Sequence, residues 1–165
     1  MIFAKFPAIT LMIGSLLITP SLLAEQIRTS TNNDYWELMV SPYAFHYQHS
    51  PEHKSVFLIG IEHHRSDQWF IGGGLFSNSF GQPTGTTYIG YTWDQLFGQP
   101  IFYAKLAGGL MYGYVGKYEN KVPLNYNGLS PIIVPAAGWR IRPSDAIEVS
   151  LLGTAGLLFS YNRKF

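Results

Sequence analysis

Hydrophobicity alternates along the last eleven residues, where Leu157, Phe159, Tyr161 and Phe165 share one parity. Successive side chains of a β-strand point to opposite faces, so this period of two predicts a strand with one apolar face. Beyond residue 25, no apolar run reaches the roughly 20 residues that a membrane-spanning helix needs. Alternation spread over many short segments that are rich in aromatic residues is typical of a transmembrane β-barrel.

Turn-forming residues divide the chain into eight such segments. Breaks such as His49-Ser50-Pro51 and Arg142-Pro143-Ser144 recur at short intervals. The predicted strands are 38–48, 54–64, 68–80, 84–94, 100–114, 128–140, 145–152 and 155–165. The predicted fold class is therefore all-β, an eight-stranded antiparallel up-and-down transmembrane β-barrel. Residues 27–37 would add a short N-terminal interfacial helix or a tail.

The N-terminal segment has the pattern of a secretory signal peptide. Lys5 precedes an apolar stretch from Phe6 to Leu17, and a break at Pro20 is followed by the small residue Ala24. We expect residues 1–24 to be a signal peptide and residues 25–165 to be a single outer-membrane β-barrel domain. The alternative is a membrane-anchoring helix, but the stretch is interrupted and shorter than the roughly 20 residues required.

Composition excludes several classes of function. Loss of the signal peptide would leave ten basic against ten acidic residues and no basic block, so nucleic acid is not an expected partner. The absence of cysteine excludes disulfides, thiolate chemistry and most zinc sites. A loop metal site using His49, Glu52 and His53 is the weaker interpretation, and His63 and His64 should face opposite sides of their strand. No metal and no cofactor are predicted.

The tryptophans test the orientation of the predicted barrel. If both termini are periplasmic, Trp36, Trp69, Trp93 and Trp139 all fall at one rim, as in an interfacial aromatic girdle. The longest loop, 115–127, then lies outside, whereas the inner connections at 65–67 and 142–144 are short.

Strand parity separates a lipid face from a lumen face. The predicted lipid face contains Phe57, Ile59, Ile61, Ile89, Tyr91, Trp93, Ile147, Val149 and Leu151. The outer half of the predicted lumen contains Ala44, Val56, Leu58, Met111, Ile132, Val134, Leu152 and Leu158. The periplasmic half contains Glu62, His64, Thr92, Asp94, Lys105, Arg140, Glu148, Asn162 and Lys164. An apolar upper lumen indicates either a slot for one acyl chain or the ordinary packing that fills a small barrel.

The outer ends of two predicted strands carry the residue types of acyl-transfer chemistry. His46 lies near the end of strand one, and Ser77-Asn78-Ser79 lies near the end of strand three. These ends are two strands, or about 10 Å, apart. A histidine can act as a general base, and a serine as a nucleophile or an oxyanion donor. The alternative is a polar rim with a turn before Gly81.

These segments resemble motifs of the PagP family, the lipid A palmitoyltransferases of the Gram-negative outer membrane. Phe76–Ser79 resembles the family's Phe-Lys-Asp-Ser, and Pro42–His46 resembles its proline followed by Trp-His. Gly90–Trp93 resembles its Gly-Tyr-Gly-Trp, and Leu129–Pro135 resembles its proline-containing strand six. A closing strand that ends at Phe165 resembles the assembly signature of outer-membrane barrels. The resemblance covers most of the chain beyond the predicted signal peptide.

The resemblance implies transfer of an acyl chain from an outer-leaflet phospholipid to lipid A, with His46 and Ser79 as the active site. Asn78 would stand where the family has its active-site aspartate, and Thr92 where it has the glycine at the floor of the acyl slot, which would favour a chain shorter than palmitate. Strand prolines such as Pro42, Pro131 and Pro135 would open lateral entry. The residues expected to bind the substrate are Ala44, Val56, Leu58, Tyr88, Thr92, Met111, Ile132, Val134 and Leu158.

The expected location is the outer membrane of a Gram-negative bacterium, with the chain as a monomer. Expected partners are outer-leaflet phospholipid, lipid A or lipopolysaccharide, the lipid bilayer and, through Phe165, the barrel-assembly machinery. Two other functions remain open. One is a non-enzymatic barrel with a structural or small-molecule-binding role, and the other is a lipid deacylase that uses water as the acceptor.

Overall fold

The structure is a computed structural model that describes residues 33–165, together with Leu22 and Glu25, which are helical. The predicted signal peptide, apart from Leu22, and residues 27–32 of the predicted interfacial helix lie outside the described residues. Among the described residues, no helix is long and apolar enough to cross a membrane.

The described chain forms a closed barrel of eight antiparallel strands in sequence order, as the alternation predicts. The strands are β1 (Tyr35–His46), β2 (Phe57–His64), β3 (Trp69–Ser77), β4 (Pro83–Asp94), β5 (Phe102–Tyr112), β6 (Leu129–Arg142), β7 (Asp145–Leu151) and β8 (Gly156–Lys164). β1 begins at Tyr35, so residues 35–37 of the predicted interfacial helix are strand instead, because their pairing with β2 satisfies the backbone. Two short 3₁₀ helices, Leu96–Gly98 and Gly116–Lys121, lie in the β4–β5 and β5–β6 connections.

The outer surface of the barrel is apolar. The predicted lipid-face residues point outward, among them Phe57, Ile59 and Ile89, which are 54%, 47% and 55% exposed. Trp36, Trp69, Trp93 and Trp139 lie on this surface at the end of the barrel that holds both ends of the sheet, as predicted. An apolar outer band with an aromatic rim is the surface of a transmembrane barrel.

A β-bulge in β1 reverses the parity of that strand. The register with β8 shifts between Val40 and Tyr43, and the fully buried Ser41 donates a hydrogen bond of 2.6 Å to the carbonyl oxygen of Phe159. Below the bulge, odd-numbered side chains face the lumen, whereas above it Ala44 and His46 do so. The bulge therefore turns His46 toward the lumen.

Charged side chains fill the half of the lumen at the tryptophan rim, the half that the sequence predicts to be periplasmic and charged. The ammonium group of Lys105 on β5 lies 2.8 Å from Glu37, 2.7 Å from Glu62 and 3.1 Å from Glu148. His64 bonds Glu62 at 2.8 Å. Each of these side chains is less than a tenth exposed. Lys105 is thus the central cation of a cluster, the Lys105 cluster, that joins β1, β2, β5 and β7.

Nearby polar groups complete this cluster. The phenols of Tyr88 and Tyr103 donate hydrogen bonds to Glu62 and Glu148, each at 3.0 Å. The amide of Asn162 donates to Glu37 at 3.0 Å. Because buried carboxylates are stable only when they are paired and hydrogen-bonded, these contacts are what allows charge to fill the lumen.

Replacing the central cation should strongly destabilise the barrel. We expect Lys105→Met to lower the free energy of unfolding by about 3–5 kcal/mol, because three buried carboxylates lose their common partner. Urea unfolding in detergent micelles measures the change. Lys117→Met is the matched control, since Lys117 is exposed and lies 3.8 Å from Glu52, and it should cause no measurable change. Equal stability of the two variants would contradict this prediction.

Candidate active site

His46 and Ser79 meet at the end of the barrel opposite the tryptophan rim, which the sequence predicts to be the outer end. His46 is the last residue of β1, and Ser79 lies in the loop between β3 and β4, residues 78–82. The Nε2 atom of His46 is 2.6 Å from the hydroxyl oxygen of Ser79. This pair has the contact and the chemistry of a general base with a nucleophile. The two residues singled out from the sequence are therefore brought into direct contact.

The backbone around His46 is tightly packed on β8. His46 pairs with Gly156, and a side chain at position 156 would collide with the carbonyl oxygen of Phe45. Glycine at this position thus permits the close approach of β8 to the end of β1.

Asn78 organises the loop that carries Ser79. Its side chain is fully buried, and its carbonyl oxygen accepts hydrogen bonds from the backbone amides of Phe80 and Gln82, both at 3.0 Å. Its amide nitrogen donates to the carbonyl oxygen of Gly113 at 3.2 Å. These bonds are the pattern of an Asx turn tied to a neighbouring loop. The Asn78 side chain is therefore turned into the loop and toward Gly113.

Tyr114 stands beside Ser79 at the same rim. It belongs to the loop between β5 and β6, residues 113–128, and borders the same cavity as His46 and Ser79. Burial raises the pKa of the Tyr114 phenol, and hydrogen bonding with Ser79 opposes this rise. The phenol is therefore neutral at physiological pH and can donate or accept a hydrogen bond.

A cavity of about 370 Å³ extends from the His46–Ser79 pair into the barrel. This volume lies in the range of sites that hold small ligands, about 300–1,000 Å³. Of the residues predicted to bind the substrate, six line this cavity: Leu58, Tyr88, Met111, Ile132, Val134 and Leu158. The cavity thus joins a polar mouth to a mainly apolar wall.

Three predicted substrate-binding residues do not line this cavity. Val56 and Ala44 pack in the cluster formed with Met39, Leu58 and Leu158. Thr92 lines a separate cavity of about 20 Å³ at the end of the barrel that carries the tryptophan rim. Parity placed these three side chains on the lumen face correctly, but it carries no information about depth in the barrel.

The floor of the large cavity is the Lys105 cluster. Glu62, Lys105 and Glu148 border the cavity from below, together with Phe70 and Tyr88. The sequence prediction missed Phe70, which is 2% exposed, as well as Phe76 and Ala107 in the wall. Their lumen-facing parity on β3 and β5 was the available signal.

Strand pairing in the barrel wall ends early on two sides near the cavity. The β1–β2 ladder ends at Ser41 and Leu58, although β1 continues to His46. The β6–β7 ladder ends at Ala136 and Ser150, which leaves residues 129–135 of β6 paired with β5 alone. Proline has no N–H to donate, so it is compatible with such unpaired stretches. They contain Pro42 at the first gap, and Pro131 and Pro135 at the second.

Metal-ligating groups of the described residues converge only inside the Lys105 cluster. Atoms of Glu37, Glu62 and His64 lie within 4.8 Å of one another, but the Lys105 ammonium already stands between the carboxylates as their cation. His63 and His64 face opposite sides, as predicted, since His63 packs on Trp36 outside and His64 is buried.

Comparison with known proteins supports the fold alone. No family model matches the chain, and no curated protein matches it. Among solved structures, the chain is similar to a designed protein described as "De novo design of transmembrane beta-barrels", with a TM-score of 0.57 and 14% sequence identity. The match covers 81% of this chain and 96% of the designed one. The protein therefore has the fold of a transmembrane β-barrel.

The role of Asn78 can be tested through stability. Asn78→Ala should lower the free energy of unfolding by about 1–3 kcal/mol, because two partly buried backbone amides and one buried carbonyl lose their partner. Asn78→Asp should also be less stable, since a carboxylate would face the Gly113 carbonyl oxygen. Urea unfolding in micelles measures both, with the exposed Asn120→Ala as control. A fully stable Asn78→Asp barrel would contradict this assignment.

Proposed function

We propose that this barrel is an acyltransferase of the outer membrane, which moves a fatty acyl chain from a phospholipid to lipid A or a related lipid. The observation that carries the proposal is the contact of His46 with Ser79 at the mouth of an apolar cavity. A base–nucleophile pair alone fits many reactions, and an apolar slot alone fits simple binding. Their combination favours chemistry on an ester at the end of an acyl chain.

The contact indicates a two-step transfer. His46 Nε2 accepts the hydroxyl proton of Ser79 while Ser79 Oγ attacks the ester carbonyl carbon of the donor lipid. The lysophospholipid oxygen leaves with that proton, and the acyl chain remains on Ser79. His46 then takes the proton of an acceptor hydroxyl as its oxygen attacks the acyl-serine carbonyl carbon, and it returns that proton to Ser79 Oγ when the bond between Oγ and the acyl group breaks. Tyr114 lies beside Ser79 and can donate a hydrogen bond at the reacting carbonyl.

The openings in the wall supply routes for lipids. The acyl chains of membrane lipids lie beside the barrel, and the gaps at β1–β2 and β6–β7 are at the height of the cavity. Pro131 and Ile133, on the β6 side of one gap, border both the cavity and the outer surface. An acyl chain could therefore enter sideways without leaving an apolar environment.

In this proposal Phe165 remains the recognition point for assembly into the outer membrane.

Removal of either member of the pair should abolish transfer. We expect lipid A from cells that express the wild-type chain to gain the mass of one acyl chain, and His46→Ala and Ser79→Ala each to lose that product by at least about a hundredfold. Mass spectrometry of extracted lipid A measures the product. Ser77→Ala and His49→Ala are the matched controls, because both residues lie near the same rim without joining the pair.

The products also separate the alternatives. Release of free fatty acid without an acylated acceptor would favour a deacylase that uses the same pair with water. Unchanged lipids around a correctly folded wild-type barrel would contradict enzymatic function and favour a non-enzymatic barrel.

The wall of the cavity should set the preferred chain length. Ala107 is buried and lines the cavity on β5 above Lys105. Ala107→Phe should lower transfer of the longest accepted chain about tenfold relative to shorter chains, since excluding two methylenes costs about 1.6 kcal/mol. Competition between phospholipids of mixed chain length measures the shift, with the outward-facing Ala137→Phe as control. Thr92→Gly should leave the preference unchanged because Thr92 lies outside this cavity.

A further inference from the structure

The ring of His46 lies against the ring of a second histidine. The ring centroids of His46 and His53 are 4.4 Å apart, with an angle of 37° between their planes. The rings of His53 and Phe80 form a T-shaped contact with centroids 5.6 Å apart, and Phe80 stacks on Tyr118 with centroids 4.3 Å apart. The four rings form a continuous column, the ring column, that runs from the His46–Ser79 pair through three outer loops.

The backbone next to His53 contacts the other member of the pair. The amide of Lys54 donates a hydrogen bond of 2.8 Å to the carbonyl oxygen of Ser79. The amide of His53 itself donates to the carbonyl oxygen of Ser50 at 3.0 Å, which holds the segment in a turn. His53 therefore contacts His46, and the next residue, Lys54, contacts Ser79.

The chemistry of the pair makes such support necessary. To accept a proton from Ser79, the Nε2 atom of His46 must be unprotonated, so the ring proton must reside on Nδ1. In related base–nucleophile pairs a third group keeps the imidazole in the correct orientation. Asn78, the residue next to Ser79, uses its side chain within its own loop and with Gly113.

We propose that His53 is the positioning residue of this active site, which holds the His46 ring against Ser79 by tilted stacking of the two rings rather than by a charged hydrogen bond. This inference rests on the proposed function for its catalytic consequence, but its structural part does not. Stacking restricts rotation of the His46 ring and so maintains the contact of Nε2 with the Ser79 hydroxyl. The Lys54 amide maintains the opposite side of the same contact.

Substitutions at position 53 test the contribution of the ring. His53→Ala removes the stacking partner, whereas His53→Phe keeps an aromatic ring and removes both nitrogens. We expect His53→Ala to lower kcat about tenfold or more with little change in KM, because misorientation of a catalytic group affects the chemical step. His53→Phe should restore most of the lost kcat. His49→Ala, an exposed histidine of the same loop, is the control and should behave as wild type.

A second measurement does not require activity. Nitrogen NMR of histidine side chains in the folded barrel distinguishes the two ring tautomers. We expect His46 of the wild type, His49→Ala and His53→Phe to be mainly the Nδ1–H tautomer. In His53→Ala, we expect the His46 ring to average over both tautomers. Ser79→Ala, in which the hydrogen bond is absent, should show the same averaged signal.

The outcomes separate this inference from the proposed function. If the wild type transfers no acyl chain but His53→Ala alters the His46 tautomer, the proposed function fails and the positioning role stands. A wild-type His46 signal in His53→Ala overturns the positioning role, whatever the activity. Equal defects in His53→Phe and His53→Ala would overturn stacking as its basis.

Discussion

The Lys105 cluster is the interaction on which the organisation of the barrel depends. An eight-stranded barrel has a lumen that side chains must fill, and here one ammonium binds carboxylates from β1, β2 and β7. Because those charges are satisfied by one another and by nearby phenols and amides, the lower lumen is closed without a large apolar core. The upper lumen can then remain an apolar cavity with a firm floor.

The candidate site lies where loops meet above that rigid base. The bulge at Ser41 turns His46 inward, and the buried Asn78 side chain shapes the loop that presents Ser79. The ring column and the Lys54 amide then connect these two positions through the outer loops. Precise geometry in a loop site requires this kind of support, because loops without it move relative to the scaffold.

Sequence patterns predicted well which face of the barrel wall each side chain occupies. They predicted poorly how far along the barrel axis each lumen residue lies. Phe57 and Ile59 face lipid and Leu58 faces the lumen because each obeys the two-residue period of a strand. Thr92 shows the limit of this argument. It is buried on the lumen face beside Lys105, yet it lines the small cavity and not the large one, because strand stagger sets the height of each residue in a barrel. Alternation along one strand does not specify that stagger.

The sequence by itself determined the strand pattern, the apolar outer surface and the single rim of tryptophans, because these follow from local periodicity and turn residues. The tertiary structure alone decided which side chains meet across the lumen and the rim. Lys105 and Glu37 are 68 residues apart, and His46 and Ser79 are 33 apart, yet each pair is in contact. Such contacts depend on barrel closure, on the bulge in β1 and on loop packing, which are properties of the whole sheet and not of any single segment.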